Sequence, residues 1–264
     1  MTIETHTGIL TGIPEIDSVV GGGKRGELHV ILGYTGSGKT TLALNMAYNS
    51  AYLDYPYGIP RGTVVLSLEE STDSIVKKVD RIRREFEKEH GEAGYPGIFP
   101  GLKIMDISNY LNPSRISVDT IKDELGKIQQ DYNIKIDTLV VDLPDLMVNE
   151  RTIGKLENLY AEFKNLAHSF NEGKGLLLIL TIQPTWTAHD RALDNNSVYT
   201  NNDFGVFIES ICDQAYSISK DPFKLGAPLV VSHINARRSS KFKPFELSVD
   251  WETGYIKTTK EQVQ

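Results

Sequence analysis

Residues Gly33 to Thr40 read Gly-Tyr-Thr-Gly-Ser-Gly-Lys-Thr, a G-x-x-x-x-G-K-T string. Ahead of it stands the apolar run Leu28, Val30, Ile31 and Leu32; behind it Thr41-Leu42-Ala43-Leu44-Asn45-Met46-Ala47 is rich in helix formers. That strand-loop-helix setting lets glycines bend the backbone until its N–H groups surround a polyphosphate, because a residue without Cβ tolerates the dihedrals and the close approach. The helix N-terminus adds its partial positive charge at the same point. Gly33, Thr35, Gly36, Ser37, Gly38, Lys39, Thr40 and Thr41 are therefore the expected contacts of ATP. Lys39 would reach the β and γ phosphates, and the Thr40 hydroxyl would ligate Mg²⁺.

Moving a phosphoryl group to water further requires a carboxylate for the metal, an oriented water and positive charge at the γ-phosphate. Asp142, ending the apolar run Leu139-Val140-Val141, is the expected second metal residue. Glu69 and Glu70 follow the run Thr63 to Leu68 and are candidates for polarising the attacking water, with Glu69 preferred; two solvent-facing carboxylates before a helix are the alternative. Gln183, polar at the end of a Leu- and Ile-rich strand, is placed to sense the γ-phosphate. The loop it opens, Pro184 to Asn202, carries Trp186, His189, Arg191 and Tyr199, a mixture that suits stacking on and pairing with a single strand or serves as surface decoration. Arg237 and Arg238 are candidates for an arginine finger acting across a subunit interface, or else cations of a hairpin turn in water.

The elements that must hold these residues follow from hydrophobic pattern. Strands are expected at Leu28 to Leu32, Thr63 to Leu68, Leu102 to Asp106, Ile136 to Asp142 and Gly175 to Thr181, alternating with helices behind the glycine loop, at about Asp73 to His90, Val118 to Tyr132 and Ile153 to Phe170. Near-continuous apolar strands alternating with helices predict an α/β fold whose mostly parallel sheet is covered on both faces. Ligands in such sheets bind beyond the strands' C-terminal ends, where Gly33, Glu69, Asp142 and Gln183 all fall. Bursts at Gln214 to Ser219, Leu229 to Ile234, Phe245 to Val249 and Gly254 to Lys257 predict antiparallel strands at the C-terminal edge. Residues 1–10 read as an arm, frayed or touching a neighbour, and residues 11–264 as one domain. The Asp73 to His90 helix is the most basic stretch, its Lys77, Lys78, Arg81, Arg83, Arg84 and Lys88 forming a solvated face or a polyanion contact.

The chain has 264 residues, 40% hydrophobic and 24% charged, an ordinary globular balance. A net charge of −7 disfavours a surface devoted to nucleic acid, though a basic lining inside a ring is compatible with an acidic exterior. No stretch approaches the ~20 apolar residues that cross a bilayer, the start lacks a signal-peptide pattern, and Cys212 is the single cysteine. A cytoplasmic setting without membrane contact is expected.

Thr11-Gly12-Ile13 with Asp17, Gly26-Glu27-Leu28, the glycine loop, Ser67-Leu68-Glu69, Asp142-Leu143-Pro144-Asp145-Leu146-Met147 and Gln183 together resemble the motor domain of DnaB-type replicative hexameric helicases, over about residues 8–258. The Glu69-Glu70 pair with Gly21-Gly22-Gly23 is also similar to KaiC-type and RadA-type ATPases, and all of these belong to the RecA superfamily. The resemblance implies a RecA-like fold, Glu69 as catalytic base, Asp142 supporting Mg²⁺, Gln183 coupling nucleotide to a DNA-binding loop, and a Lys-x-Arg pair acting in trans. That pair is altered: Asn235 stands where the lysine would precede Arg237, and Ala236 where it would precede Arg238. The resemblance further implies a homo-oligomer with ATP at subunit interfaces, single-stranded DNA as ligand, a loader or other replication proteins as partners, and a viral or mobile-element helicase as one origin. A nucleotide-gated assembly or signalling ATPase and a recombinase-like filament are the other functions it admits.

Overall fold

The computed structural model describes residues 8–53, 61–90, 101–110, 112–184, 210–221, 224, 226–237 and 239–257. A short helix α1 (Pro14–Val20) precedes β1 (Leu28–Leu32), and the glycine loop leads into α2 (Lys39–Leu53). There follow β2 (Arg61–Ser67), α3 (Thr72–His90), β3 (Leu102–Ile104), α4 (Val118–Tyr132), β4 (Lys135–Asp142), α5 (Ile153–Gly173) and β5 (Leu177–Ile182). The chain ends in β6 (Gln214–Ser219), β7 (Leu229–Ala236), β8 (Phe245–Asp250) and β9 (Tyr255–Lys257). Among the described residues the strands build a nine-stranded sheet in the order β3-β2-β4-β5-β1-β6-β7-β8-β9.

From β3 to β6 every pairing is parallel, and from β6 to β9 every pairing is antiparallel. The α/β, mostly parallel sheet with antiparallel strands at its C-terminal edge is as expected. Gln214 to Ser219 opens the antiparallel set through its pairing with β7, and on its other side lies parallel to β1, with Leu32 opposite Ser217. The long chain between β5 and β6 permits this, because parallel neighbours need a crossover rather than a tight turn. Two smaller features have backbone causes. Gly175, expected in β5, turns at φ +75 with a Cβ position only 2.7 Å from the Ala167 carbonyl oxygen, so the strand begins later. The α5 backbone leaves helical geometry at Phe170, Asn171 and Glu172, in accord with a helix ending near Phe170.

Each central strand feeds two cores by its period of two. Leu139 and Val141 of β4 face α4 and α5 together with Leu178 and Leu180 of β5 and Phe163 of α5. Val140, Ile179 and Ile31 face the opposite layer, with Leu42, Met46 and Tyr48 of α2 and Ile75 and Val79 of α3. Each such side chain contributes about 1.5–3 kcal/mol by leaving water. Helix α4 starts at Ser117, whose hydroxyl accepts the Thr120 amide, and stops at left-handed Asn133. On α3, Lys78, Arg83, Arg84 and Lys88 are in ion pairs with Glu70, Asp80, Glu87 or Glu85, the pattern of a solvated face. Residues 1–7 of the expected arm lie outside the described residues; Ile9, just after them, is buried and bridges Gly23. Among the described residues no helix is long and apolar enough to cross a membrane.

Beneath the antiparallel edge a buried polar row joins Glu27, His29, Tyr216, His233 and Gln214. Burial first, and then the Lys241 charge, lower the His233 pKa to about 4. A histidine whose folded pKa lies below its unfolded value near 6.5 stabilises the fold above that value and loses its contribution as pH falls toward 4. We expect unfolding free energy from urea titrations to drop by about 3 kcal/mol over this window through His233. The drop should shrink in His233→Gln; an equal drop in that variant would assign it elsewhere.

Candidate active site

Register alone gathers the predicted residues. Ser67 of β2 lies opposite Asp142 of β4, Asp142 opposite Thr181 of β5, and Leu32 of β1 opposite Ile182, so these strand tips end side by side. The glycine loop leaves β1, at one end of this row and in the middle of the sheet. Gly36 and Gly38 have φ of +78 and +101, and a Cβ on Gly38 would stand 3.0 Å from the Trp251 ring. A side chain there is therefore strained by the backbone and crowds the Trp251 ring. Thr35 and Gly36 form the exposed tip, whereas Ser37 is buried with its Oγ unpartnered among the described residues.

Lys39 begins α2 and is 5% exposed, its Nζ donating to the Tyr34 carbonyl oxygen at 3.0 Å. Burial pulls its ammonium below the usual lysine range, while the charges of Asp142, Glu69 and Asp145 pull the other way. The Thr40 hydroxyl donates to Asp142 Oδ2 at 2.9 Å, so the two residues expected at the metal already touch. The Gln183 amide donates to Thr35 Oγ1 at 3.0 Å, which sets the end of β5 on the phosphate loop.

The two glutamates are in different surroundings. Glu70 Oε2 accepts the Ser74 hydroxyl at 2.6 Å and Oε1 the Lys78 ammonium. Against the burial that would raise it, these bonds hold the Glu70 carboxyl below the usual range. Glu69 is exposed, has no hydrogen-bond or ion-pair partner among the described residues, and acts on Lys39 electrostatically. It is the carboxylate free to meet a water.

Arg237 lies elsewhere. β7 runs antiparallel to β6, so its last residue, Ala236, sits opposite Gln214 at the start of β6, and the Arg237 amide donates to the Asp213 carbonyl at 2.9 Å. Arg237 is exposed there, its guanidinium on the Ser210 carbonyl, at the sheet edge opposite the glycine loop. Asn235, where a lysine was expected, gives its amide to Cys212 Sγ at 3.5 Å. Arg238 and the segment with Trp186, His189, Arg191 and Tyr199 lie outside the described residues.

Several residues at the candidate site were given no role by the sequence reading. Thr181 and Ser67 both donate to Asp142, at 2.6 and 3.4 Å. Asp145 is 4% exposed in the turn after β4, hydrogen-bonded by Tyr160, and burial raises its pKa. Leu143 adopts φ 62 and ψ 61, a left-handed backbone that costs a side-chain-bearing residue about 1–2 kcal/mol. A polar residue near the end of each apolar strand was the available signal, and its register with Asp142 was not.

Oxygen donors alone converge at this point, a carboxylate with hydroxyls around it, which suits a small hard cation that completes its shell with phosphate and water. Among the described residues no group of three or more His, Cys, Asp or Glu is placed to hold a metal ion. The triphosphate would lie on the α2 N-terminus. A surface hollow of about 520 Å³ lined by Gln129, Asn133, Lys135 and Asn171 is at the other end of β4 and includes none of the predicted residues.

The family model described as "ATPase: KaiC" matches residues 9–198. A comparison with curated proteins finds no match. Among solved structures, an ATPase domain aligns with TM-score 0.76 and 15% identity over 98% of this chain and 94% of its own. A DnaB-like replicative helicase, solved with reference to its interactions with primase, aligns with TM-score 0.72 and 16% identity over 95% of this chain. This chain spans 61% of that helicase. A KaiC-like protein, PH0186 from the hyperthermophilic archaeon Pyrococcus horikoshii OT3, aligns with TM-score 0.61 and 20% identity over 94% of this chain and 96% of its own.

Proposed function

The chain belongs to the KaiC-type ATPase family, and from that premise we propose that it is an ATP-hydrolysing, head-to-tail oligomeric motor of the DnaB helicase type, a hexameric ring that binds single-stranded DNA. Gln183 carries this reading. Its amide rests on the phosphate loop through Thr35, and the chain continues from it into the segment that carries Trp186, His189, Arg191 and Tyr199. A γ-phosphate arriving at the loop competes for that amide and so displaces the start of the segment.

Lys39 and the amides of the loop hold the β and γ phosphates, and Thr40 and Asp142 hold Mg²⁺, which when bound neutralises charge developing on the transferred group. Glu69 orients the water. Arg237 stands at the edge opposite its own phosphate loop, which fits service to a neighbour's nucleotide in a heterologous, ring-closing contact. A loader or another replication protein is the partner this reading calls for.

Turnover should rise on adding single-stranded DNA at low salt, and a forked duplex should be unwound. A rate indifferent to single strands, with no DNA binding, favours the second reading, a nucleotide-gated ATPase acting on a protein client. That reading draws on the family match and on Asn235 in place of the lysine. The interface can be tested separately. Arg237→Ala should slow turnover roughly tenfold or more, and mixing it with Lys39→Ala protein should recover activity that neither has alone. Failure of the mixture to recover would remove Arg237 from the shared site.

A further inference from the structure

We propose that Thr181, locked by the left-handed turn at Leu143, is a positioning residue that fixes which oxygen of Asp142 faces the cation. The inference rests on Asp142 serving Mg²⁺ as proposed above and concerns what holds its carboxylate in place.

The carboxylate of Asp142 is 2% exposed and surrounded by hydroxyls from separate elements. Thr181 Oγ1, 0% exposed, donates to Oδ1 at 2.6 Å; Thr40 Oγ1 donates to Oδ2 at 2.9 Å, with Ser67 Oγ farther away at 3.4 Å. A threonine hydroxyl has one proton and two lone pairs, so its direction depends on what else it meets. Here the Leu143 amide donates to Thr181 Oγ1 at 2.9 Å. With that lone pair occupied, the Thr181 proton is left for Asp142 Oδ1.

The left-handed backbone at Leu143 turns that amide back toward β5, directly after the aspartate. Pro144 contributes by disfavouring the right-handed helical region in the residue before it. An unfavourable conformation in a bulky residue, next to a buried carboxylate it orients through one intermediary, is the kind of local strain found where geometry serves a site. The result is an asymmetric carboxylate. Oδ1 is turned into the protein and held by a short bond, while Oδ2 is presented on the side of Thr40 and the α2 N-terminus. Ligating carboxylates held in this way lose metal affinity when the holding bond is removed, commonly by 10- to 100-fold.

The test compares the wild-type chain with Thr181→Val, nearly isosteric but without the hydroxyl, and Thr181→Ser, which keeps it. A non-hydrolysable ATP analogue is titrated by calorimetry in Mg²⁺ and again in EDTA. Thr181→Val should weaken binding about tenfold in Mg²⁺ and leave it within about twofold in EDTA, whereas Thr181→Ser should match the wild type in both. Thr181→Ala carries the same expectation as Thr181→Val should the valine variant not fold. Unchanged affinity of the valine variant in Mg²⁺, or equal weakening with and without the metal, would overturn the assignment. A wild-type chain that binds the analogue in neither buffer would instead overturn the nucleotide site on which it depends.

Discussion

Lys39→Ala should abolish ATP turnover and weaken binding of a non-hydrolysable analogue by about 1,000-fold, roughly 4 kcal/mol. The size follows from what surrounds Lys39. Asp142, Glu69 and Asp145 each act on the ammonium electrostatically. Removing it takes away a phosphate contact in a site shielded from water and leaves carboxylate charge facing the incoming polyphosphate. The fold should not suffer. Burial disfavours the charged lysine, so thermal unfolding of the variant should occur at or above the wild-type temperature. Analogue binding measured by calorimetry alongside a thermal melt separates the two effects; unchanged affinity in a folded variant would contradict the role given to Lys39.

Glu69→Gln should bind the analogue like the wild type but hydrolyse ATP about 1,000-fold more slowly, the range of a lost general base. The amide keeps the size of the carboxylate and removes its capacity to take a proton from water. Glu70→Gln provides the contrast. Its carboxylate is committed to Ser74 and Lys78 at the start of α3, so that variant should retain turnover and lose a little stability. Single-turnover kinetics read the difference directly. Normal hydrolysis by Glu69→Gln with loss in Glu70→Gln would exchange their roles.

Much of this site was legible in the sequence because its chemistry is local. The glycine loop needs residues without Cβ at fixed spacing, and Asp142 and Gln183 are polar ends to otherwise apolar strands. The layers were equally plain, since buried parallel strands read as unbroken runs of Leu, Val and Ile. What could not be read depended on register and edge. Thr181 became part of the site only because β5 pairs with β4 so that Thr181 faces Asp142. Asp145 looks like one more turn carboxylate until its burial beside Tyr160 is seen. Arg237 was visible as a cation, but its location at the far edge follows from the antiparallel return of β7. The parallel placement of β6 was hidden for a related reason, since a short alternating strand carries no mark of the direction of its neighbour.

The central claim is that a magnesium-bound triphosphate docks on the amides around Lys39, with Thr40 and Asp142 supporting the metal. Calorimetric titration of Mg²⁺ and a non-hydrolysable ATP analogue into the wild-type chain, repeated with Asp142→Asn, tests it most directly. The account predicts saturable heat with the wild type, and affinity lost in the variant in Mg²⁺ but not in EDTA. Absence of any heat with the folded wild-type chain, or an Mg²⁺ dependence untouched by Asp142→Asn, would contradict it.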